Sequence, residues 1–247
     1  MTRLVPPRPC CTADSLSAAM PFFAPVGLVL GALCTAAAFL CLWLFDAPDT
    51  GFAGRCLVAA LAAWAWMLCE IWATRGLHWD GLSDLGDATS SGASGERFWA
   101  VLRDSRLGAF GALHLLVAFS GLWLALTWQL ANGQWIAPLL APAWGRAACI
   151  WLAAYTVPHD ERSLGGLACA GSSPQLARWQ VVLATGMLVL VLLLGNCPFW
   201  RLPLLAFGQF LLIHSLIDTT REHGGVSGDF LGACIQWSQL WFLLVTV

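Results

Sequence analysis

Asp80, Asp84 and Asp87 are spaced i, i+4 and i+7. On a helix each residue turns about 100°, so the three carboxylates fall on one stripe. Like charges placed this way repel, and the stripe calls for a cation. Carboxylate oxygens are hard ligands that suit Mg2+, Mn2+ or Ca2+ rather than zinc. Mg2+ takes one or two protein carboxylates and leaves positions for substrate phosphate. Downstream stand Arg97, Arg103, Asp104 and Arg106. Carboxylates for a metal beside arginines for phosphate oxygens are the parts that phosphoryl transfer uses. The bland alternative is a solvated loop of Asp–Arg pairs. The regular stripe, its position beside an apolar run, and the glycines punctuating the block (Gly76, Gly81, Gly86, Gly108, Gly111) weigh against it.

Two elements must position these groups. The spacing predicts a helix carrying Asp80, Asp84 and Asp87. A second helix is expected to carry Asp104, with Ser94 as its N-cap and Glu96 suiting the first-turn dipole. Arg97 and Asp104 are seven apart and would share a face of it. His78 has three open roles: metal ligand, base, or hydrogen-bonded interfacial histidine.

The rest of the chain is far more apolar than this block. Of 247 residues 59% are hydrophobic and only 11% are charged, and mean hydropathy is +0.72. A soluble domain would carry roughly a quarter charged residues. An all-α, polytopic membrane helix bundle is therefore expected. Fifteen tryptophans and 13 phenylalanines fit an interfacial belt and helix packing. Net charge is −2, so no overall field points to nucleic acid. All 12 basic residues are arginine. The ten cysteines are scattered and show no CxxC or Cys/His zinc spacing; they read as small apolar fillers or free thiols, with Cys10 and Cys11 in a Pro-rich head. The first 20 residues hold no apolar core, so no signal peptide is expected there.

A membrane span needs about 20 residues. Apolar runs occur at 22–45, 56–74, 108–131, 135–157, 179–197, 199–217 and 230–247. Seven spans are expected, six being the alternative count, in one unit over 1–247 without internal repeat. A tight turn at 195–198 joins the fifth and sixth. With the N-terminus in the cytoplasm, Arg3, Arg8, Arg75, Arg97, Arg103, Arg106, Arg162, Arg178 and Arg221 fall inside, against Arg55 and Arg201 outside. That nine-to-two bias sets the orientation, with the N-terminus on the cytoplasmic side. Most acids, Asp14 among them, also fall inside, while Asp46 and Asp49 fall outside. Three polar segments, 75–107, 158–178 and 218–229, then share the cytoplasmic face. Glu70 and Arg146 lie within spans, where charges usually face a cavity or a partner.

The segment PHDERSLGG, 158–166, holds Glu161 and reads either as a substrate contact or as a solvated turn. Gly224, Gly225 and Gly228 precede the last span and permit tight turning and close backbone approach to a ligand. Asp229 reads either as the cap of the following helix or as a phosphate or sugar contact.

The block GLHWDGLSDLGD at 76–87, followed by RDSRLGAFG at 103–111, resembles the cobalamin synthase family, the adenosylcobinamide-GDP ribazoletransferases. The family pattern is GxHxDGLxDxxD followed by a D-S-R-[IL]-G-x-x-G segment, and both parts are present at similar separation. The resemblance extends to FAPVGL at 23–28, to 145–165, and to GGVSGDFLGA at 224–233. TRLVP at 2–6 resembles a family stretch that usually follows a short N-terminal helix. There are departures. Gln236 and Gln239 stand where the family often carries glutamates, and Ser163 stands where glycine is expected.

The resemblance implies an enzyme that joins adenosylcobinamide-GDP to α-ribazole or its 5′-phosphate, releasing GMP. This is a late step in assembling the cobamide nucleotide loop. It implies Mg2+, with Mn2+ as an alternative, held by Asp80, Asp84, Asp87 and Asp104. Arg103 and Arg106 would hold phosphate oxygens, and one aspartate or His78 would take the hydroxyl proton; His78 and Asp87 are thus expected at the reacting centre. Substrate contacts are expected from Arg97, Ser105, Arg146, Glu161, Gly225, Gly228 and Asp229. Other cobalamin-assembly enzymes are expected partners alongside the bilayer. CDP-alcohol phosphotransferases match less well, because no Ala-Arg follows the Asp-Gly pair at their spacing. Membrane prenyltransferases would need a second aspartate-rich motif. A divalent-cation transporter would place its acids deep in several spans.

Overall fold

The computed structural model describes residues 17–45, 51–195 and 197–247. The readings of the N-terminal head (Arg3, Arg8, Cys10, Cys11, Asp14), of Asp46 and Asp49, and of the Asn196 turn lie outside the described residues. After a 3-10 turn at Met20–Phe22 come ten helices: α1 Phe23–Phe45, α2 Phe52–Thr74, α3 Leu77–Ser90, α4 Glu96–Leu102, α5 Ala109–Ala131, α6 Ile136–Ala154, α7 Leu164–Gly171, α8 Pro174–Leu194, α9 Arg201–Glu222 and α10 Gly228–Thr246. Among the described residues six helical segments are long and apolar enough to cross a membrane: α1 with its leading turn, α2, α5, α6, α8 and α9. Five of them show buried stripes and broad exposed apolar faces, as helices bathed in lipid do, whereas α6 is buried along most of its length.

The seventh expected span, 230–247, corresponds to α10, which is not among the helices apolar enough to cross a membrane and, like α6, is a central helix. It packs against α3, α5, α6 and α9 and is buried along nearly its whole length. Its buried face includes Gln236, Ser238, Gln239 and Thr246. Ringed by protein, α10 can carry polar side chains that a lipid-facing helix could not.

Small residues bring the helices close. Gly27 and Gly31 of α1, four apart, meet the α6 backbone; a β-carbon on Gly27 would stand 2.6 Å from Ala143 Cα. This is the small-residue packing of membrane helices, and it gives the FAPVGL stretch a structural reason.

The short helix α3 continues α2 across a break. Arg75 and Gly76 both adopt left-handed backbone conformations, with φ of 58° and 69°. The first turn of α3 lies beside the last turns of α2, where Trp79 Nε1 donates to Glu70 Oε2 at 3.3 Å.

At the end of the bundle that carries α3, α4 and α7, the polar segments are stitched together. His159 N donates to Val226 O (3.1 Å) and Val226 N to Val157 O (2.8 Å). Helix α4 covers this join with two aromatics. Phe98 stacks on His223 at 3.6 Å and 5°, and Trp99 stacks on His159 at 3.6 Å and 13°. Trp99 Nε1 also donates to His223 O at 2.9 Å. The expected convergence of the three polar segments on one face is thus a packed structure.

Candidate active site

Helix α3 presents its acids at graded depth. Asp80 is exposed, Asp84 and Asp87 are half-buried, and the opposite face (Trp79, Leu82, Leu85) is buried. Helix α10 crosses α3 closely enough to add a fourth acid. A β-carbon on Gly81 would stand 2.8 Å from Asp229 Cα and 2.9 Å from its carbonyl oxygen, so only glycine fits there. One turn along, Gly232 makes the reciprocal approach, its β-carbon direction ending 3.2 Å from His78 Cα. Asp229 sits in the first turn of α10 but does not cap it. The cap is Ser227, whose hydroxyl accepts from Asp229 N (3.3 Å) and donates to Asp229 Oδ2 (2.9 Å).

The acids have different surroundings. Both oxygens of Asp87 accept from the start of α5: Oδ2 from Gly108 N and Oδ1 from Gly111 N, each at 2.8 Å. Asp87 thereby caps α5 from a distance and meets its positive dipole end. Asp80 and Asp84 accept no hydrogen bond from the described residues. Burial, followed by the charges of Asp80, Asp229 and Asp87, pushes Asp84 up to about 7.

Asp104 behaves otherwise than the sequence suggested. Helix α4 ends at Leu102, so Asp104 lies in the following loop and shares no helical face with Arg97. The N-cap of α4 is Gly95, with φ of 57°, and Ser94 makes no capping bond. Asp104 is paired two-pronged with Arg106, at 3.0 Å to Nε and 2.6 Å to Nη2. That guanidinium holds the Asp104 carboxyl down to about 2. Arg97, Arg103 and Ser105 are exposed on the same rim.

The remaining expected site residues divide by depth. His78 is buried, its Nδ1 without a partner among the described residues. Arg146 is buried in α6, donates to Pro142 O at 2.9 Å, and lies over the Phe23 ring at 5.5 Å. Glu161 is exposed in the 158–163 turn. The close approach expected at Gly225 is to the chain itself: with φ of 145°, its β-carbon would stand 2.5 Å from His159 N. Gly228 is open, with only Leu164 Cβ nearby at 3.9 Å. Ser163, where glycine was expected, is the N-cap of α7 and accepts from Gly166 N at 3.1 Å.

Asp80, Asp84 and Asp229 offer hard carboxylate oxygens, the donor type that suits a divalent cation. Among the described residues these three acids, at the α3–α10 crossing, form no ion pair with a basic residue, and Asp80 and Asp84 accept no hydrogen bond. No three acids, histidines or cysteines already converge at ligating distance among the described residues. A cation here would take few protein oxygens and complete its shell with water and substrate oxygens, as Mg2+ does. An apolar cleft of about 300 Å³ among α6, α8 and α9, lined by Trp144, Trp151 and Phe210, contains no acid and is a separate feature.

Sequence reasoning treated Asp229 as a cap or substrate contact and missed it as a member of the acid cluster. It also passed over Glu70, Gln236 and Gln239 as one group. Gln236 and Gln239 both donate to Glu70 Oε1, at 3.2 and 2.9 Å. The signal that pointed there was the rarity of a charge in α2 together with two amides three apart in α10.

The chain matches the family model for cobalamin-5-phosphate synthase over residues 1–247. It is 40% identical over 235 residues to an adenosylcobinamide-GDP ribazoletransferase of Nitratidesulfovibrio vulgaris (strain DP4), covering 95% of this chain and 89% of that one. It is 30% identical over 247 residues to the enzyme of that name from Chlorobaculum parvum, covering 98% and 91%. No solved structure matches it. A full-length family match, on a chain that gathers its acids at one helix crossing, makes this protein a member of the cobalamin-5-phosphate synthase family.

Proposed function

We propose that this transferase joins adenosylcobinamide-GDP to α-ribazole or its 5′-phosphate, with release of GMP, and that it depends on a divalent cation. The observation that carries the reading is the meeting of Asp80 and Asp84 of α3 with Asp229 of α10 in a chain of this family.

Asp80, Asp84 and Asp229 would hold Mg2+, with Mn2+ as a substitute. When bound there, the cation neutralises diphosphate charge and stabilises the leaving phosphate. The attacking ribose hydroxyl forms the new P–O bond at the phosphorus attached to cobinamide. The P–O bond to the guanylyl phosphate breaks, and GMP leaves with the bonding electrons. The exposed Asp80 is the α3 carboxylate open to the incoming hydroxyl and takes its proton. Arg97 and Arg103 on the rim hold non-bridging oxygens. Arg106 meets substrate as half of a pair with Asp104, so its role is to shape the rim rather than to supply free positive charge. Asp87, each oxygen of which accepts one backbone N–H from Gly108 or Gly111, fixes α5 against α3. His78 supports the crossing from beneath. The arginine distribution supports a cytoplasmic position for this face, at an inner membrane, where nucleotides and Mg2+ are available.

The test is release of GMP from adenosylcobinamide-GDP and α-ribazole by purified protein in liposomes, with Mg2+ or with chelator. GMP and a cobamide formed only with Mg2+ are expected. Absence of product from folded protein would overturn the reaction, and product in chelator would overturn the cation dependence.

A further inference from the structure

Glu70 is fully buried in α2, within a membrane-crossing segment. A carboxylate at such depth persists only if its oxygens are satisfied. Here Oε1 accepts from Gln239 Nε2 at 2.9 Å and Gln236 Nε2 at 3.2 Å, and Oε2 accepts from Trp79 Nε1 at 3.3 Å. A carboxylate offers only acceptors, so it fixes which end of each amide faces it. Gln239 Nε2 also reaches Gln236 Oε1 at 3.3 Å, which closes the group.

The partners of Glu70 lie on the two helices that carry the acid cluster. Trp79 immediately precedes Asp80 on α3. Gln236 lies seven residues beyond Asp229 on α10, two helical turns along the same side. Between this lock and the acids, α3 and α10 touch almost backbone to backbone, at Gly232 on His78 and at Gly81 on Asp229. No compliant side chain separates them there, so a slip in register at Glu70 would pass undamped to Asp80, Asp84 and Asp229.

We propose that Glu70 is a positioning residue. It fastens α3 to α10 in the one register that sets the spacing of the cation-binding acids. The inference rests on the reading of Asp80, Asp84 and Asp229 as that cation site. It also assigns Gln236 and Gln239 a use: as amides they supply the donors that Glu70 needs.

The experiment is Mn2+ binding by the full chain in detergent, followed by electron paramagnetic resonance without substrate, alongside GMP release. Glu70→Gln sets an amide against three donors and is expected to weaken Mn2+ binding roughly tenfold, the usual cost of losing an outer-shell support. The exchange Glu70→Gln with Gln239→Glu returns one carboxylate to the same group from the opposite helix and is expected to recover most of that affinity. Trp79→Phe removes a single donor while keeping the ring, and is expected to give a smaller loss in a folded protein. If Glu70→Gln alone fails to fold, the exchange and Trp79→Phe carry the test. Unchanged Mn2+ affinity in Glu70→Gln, or in Trp79→Phe where Glu70→Gln does not fold, overturns the proposal, as does an exchange variant that recovers nothing. Wild-type protein that binds Mn2+ but releases no GMP would sink the reaction and leave the positioning role standing. Wild-type protein that binds no Mn2+ would sink both.

Discussion

Asp84 and Asp87 are three residues apart on one helix and live in opposite surroundings. Asp87 is satisfied by two backbone N–H groups, whereas Asp84 has three other acids around it and is pushed up to about 7. Without a cation, Asp84 therefore binds its proton more tightly in the folded chain than in the unfolded one. Its contribution to stability is full below the ordinary carboxyl range near 3.8 and is lost as pH rises toward 7. The thermal midpoint in chelator is expected to fall between pH 5 and pH 8, a slope that Asp84→Asn should flatten and that Mg2+ should offset at the alkaline end. The same substitution is expected to cut turnover roughly a hundredfold or more while the protein stays folded. A pH scan of the melting curve, with and without Mg2+, checks the first part and GMP release the second. The i, i+4, i+7 stripe was legible in the sequence because it is local. The sorting of its members was not, because the partners of Asp87 lie 21 and 24 residues away and Asp229 arrives only when α10 folds onto α3.

At the scale of elements, the site depends on the crossing of α3 and α10, and the crossing depends on the absence of a side chain at Gly81. Gly81→Leu would drive a branched side chain into the Asp229 backbone. Overpacking of this kind costs about 1–3 kcal/mol, and here the backbone must move as well. The expected result is a clearly lowered melting temperature and loss of Mn2+ binding, while Gly186→Ala, where a β-carbon meets nothing within 4 Å, leaves both intact; melting curves and Mn2+ titration of the two variants check it. Most helix ends were readable to within a few residues, since apolar runs and their polar flanks are written in the chain. The expectations that failed concern the cap and length of α4 and the nature of α10. Helix α4 is short because it serves as a plate for Phe98 and Trp99, which pack on His223 and His159, rather than as a carrier of Asp104. Helix α10 carries buried amides because it is walled by other helices, a circumstance that hydropathy alone does not report.

Over the whole molecule, the cytoplasmic-face proposal has an accessible signature. Arg97, Arg103, Arg106, Arg162 and Arg221 are exposed and lie in the three polar segments gathered at one end. Trypsin is expected to cut there in inverted membrane vesicles and to leave the chain intact at these positions in right-side-out ones; mass spectrometry of the fragments checks it. Cleavage at Arg103 or Arg162 from the outside would reverse the orientation. The join beneath those segments has a further consequence. It runs through main-chain atoms of Val157, His159 and Val226, so it fixes the path of the turn and not its lettering. Asp160 Oδ1 accepts from Arg162 N at 2.9 Å and helps hold the turn, but Glu161 and Arg162, exposed on it, are free to be rewritten without loosening the acids opposite. A scaffold built this way separates the part that must stay constant for chemistry from a part that can be re-spelled to read a different substrate.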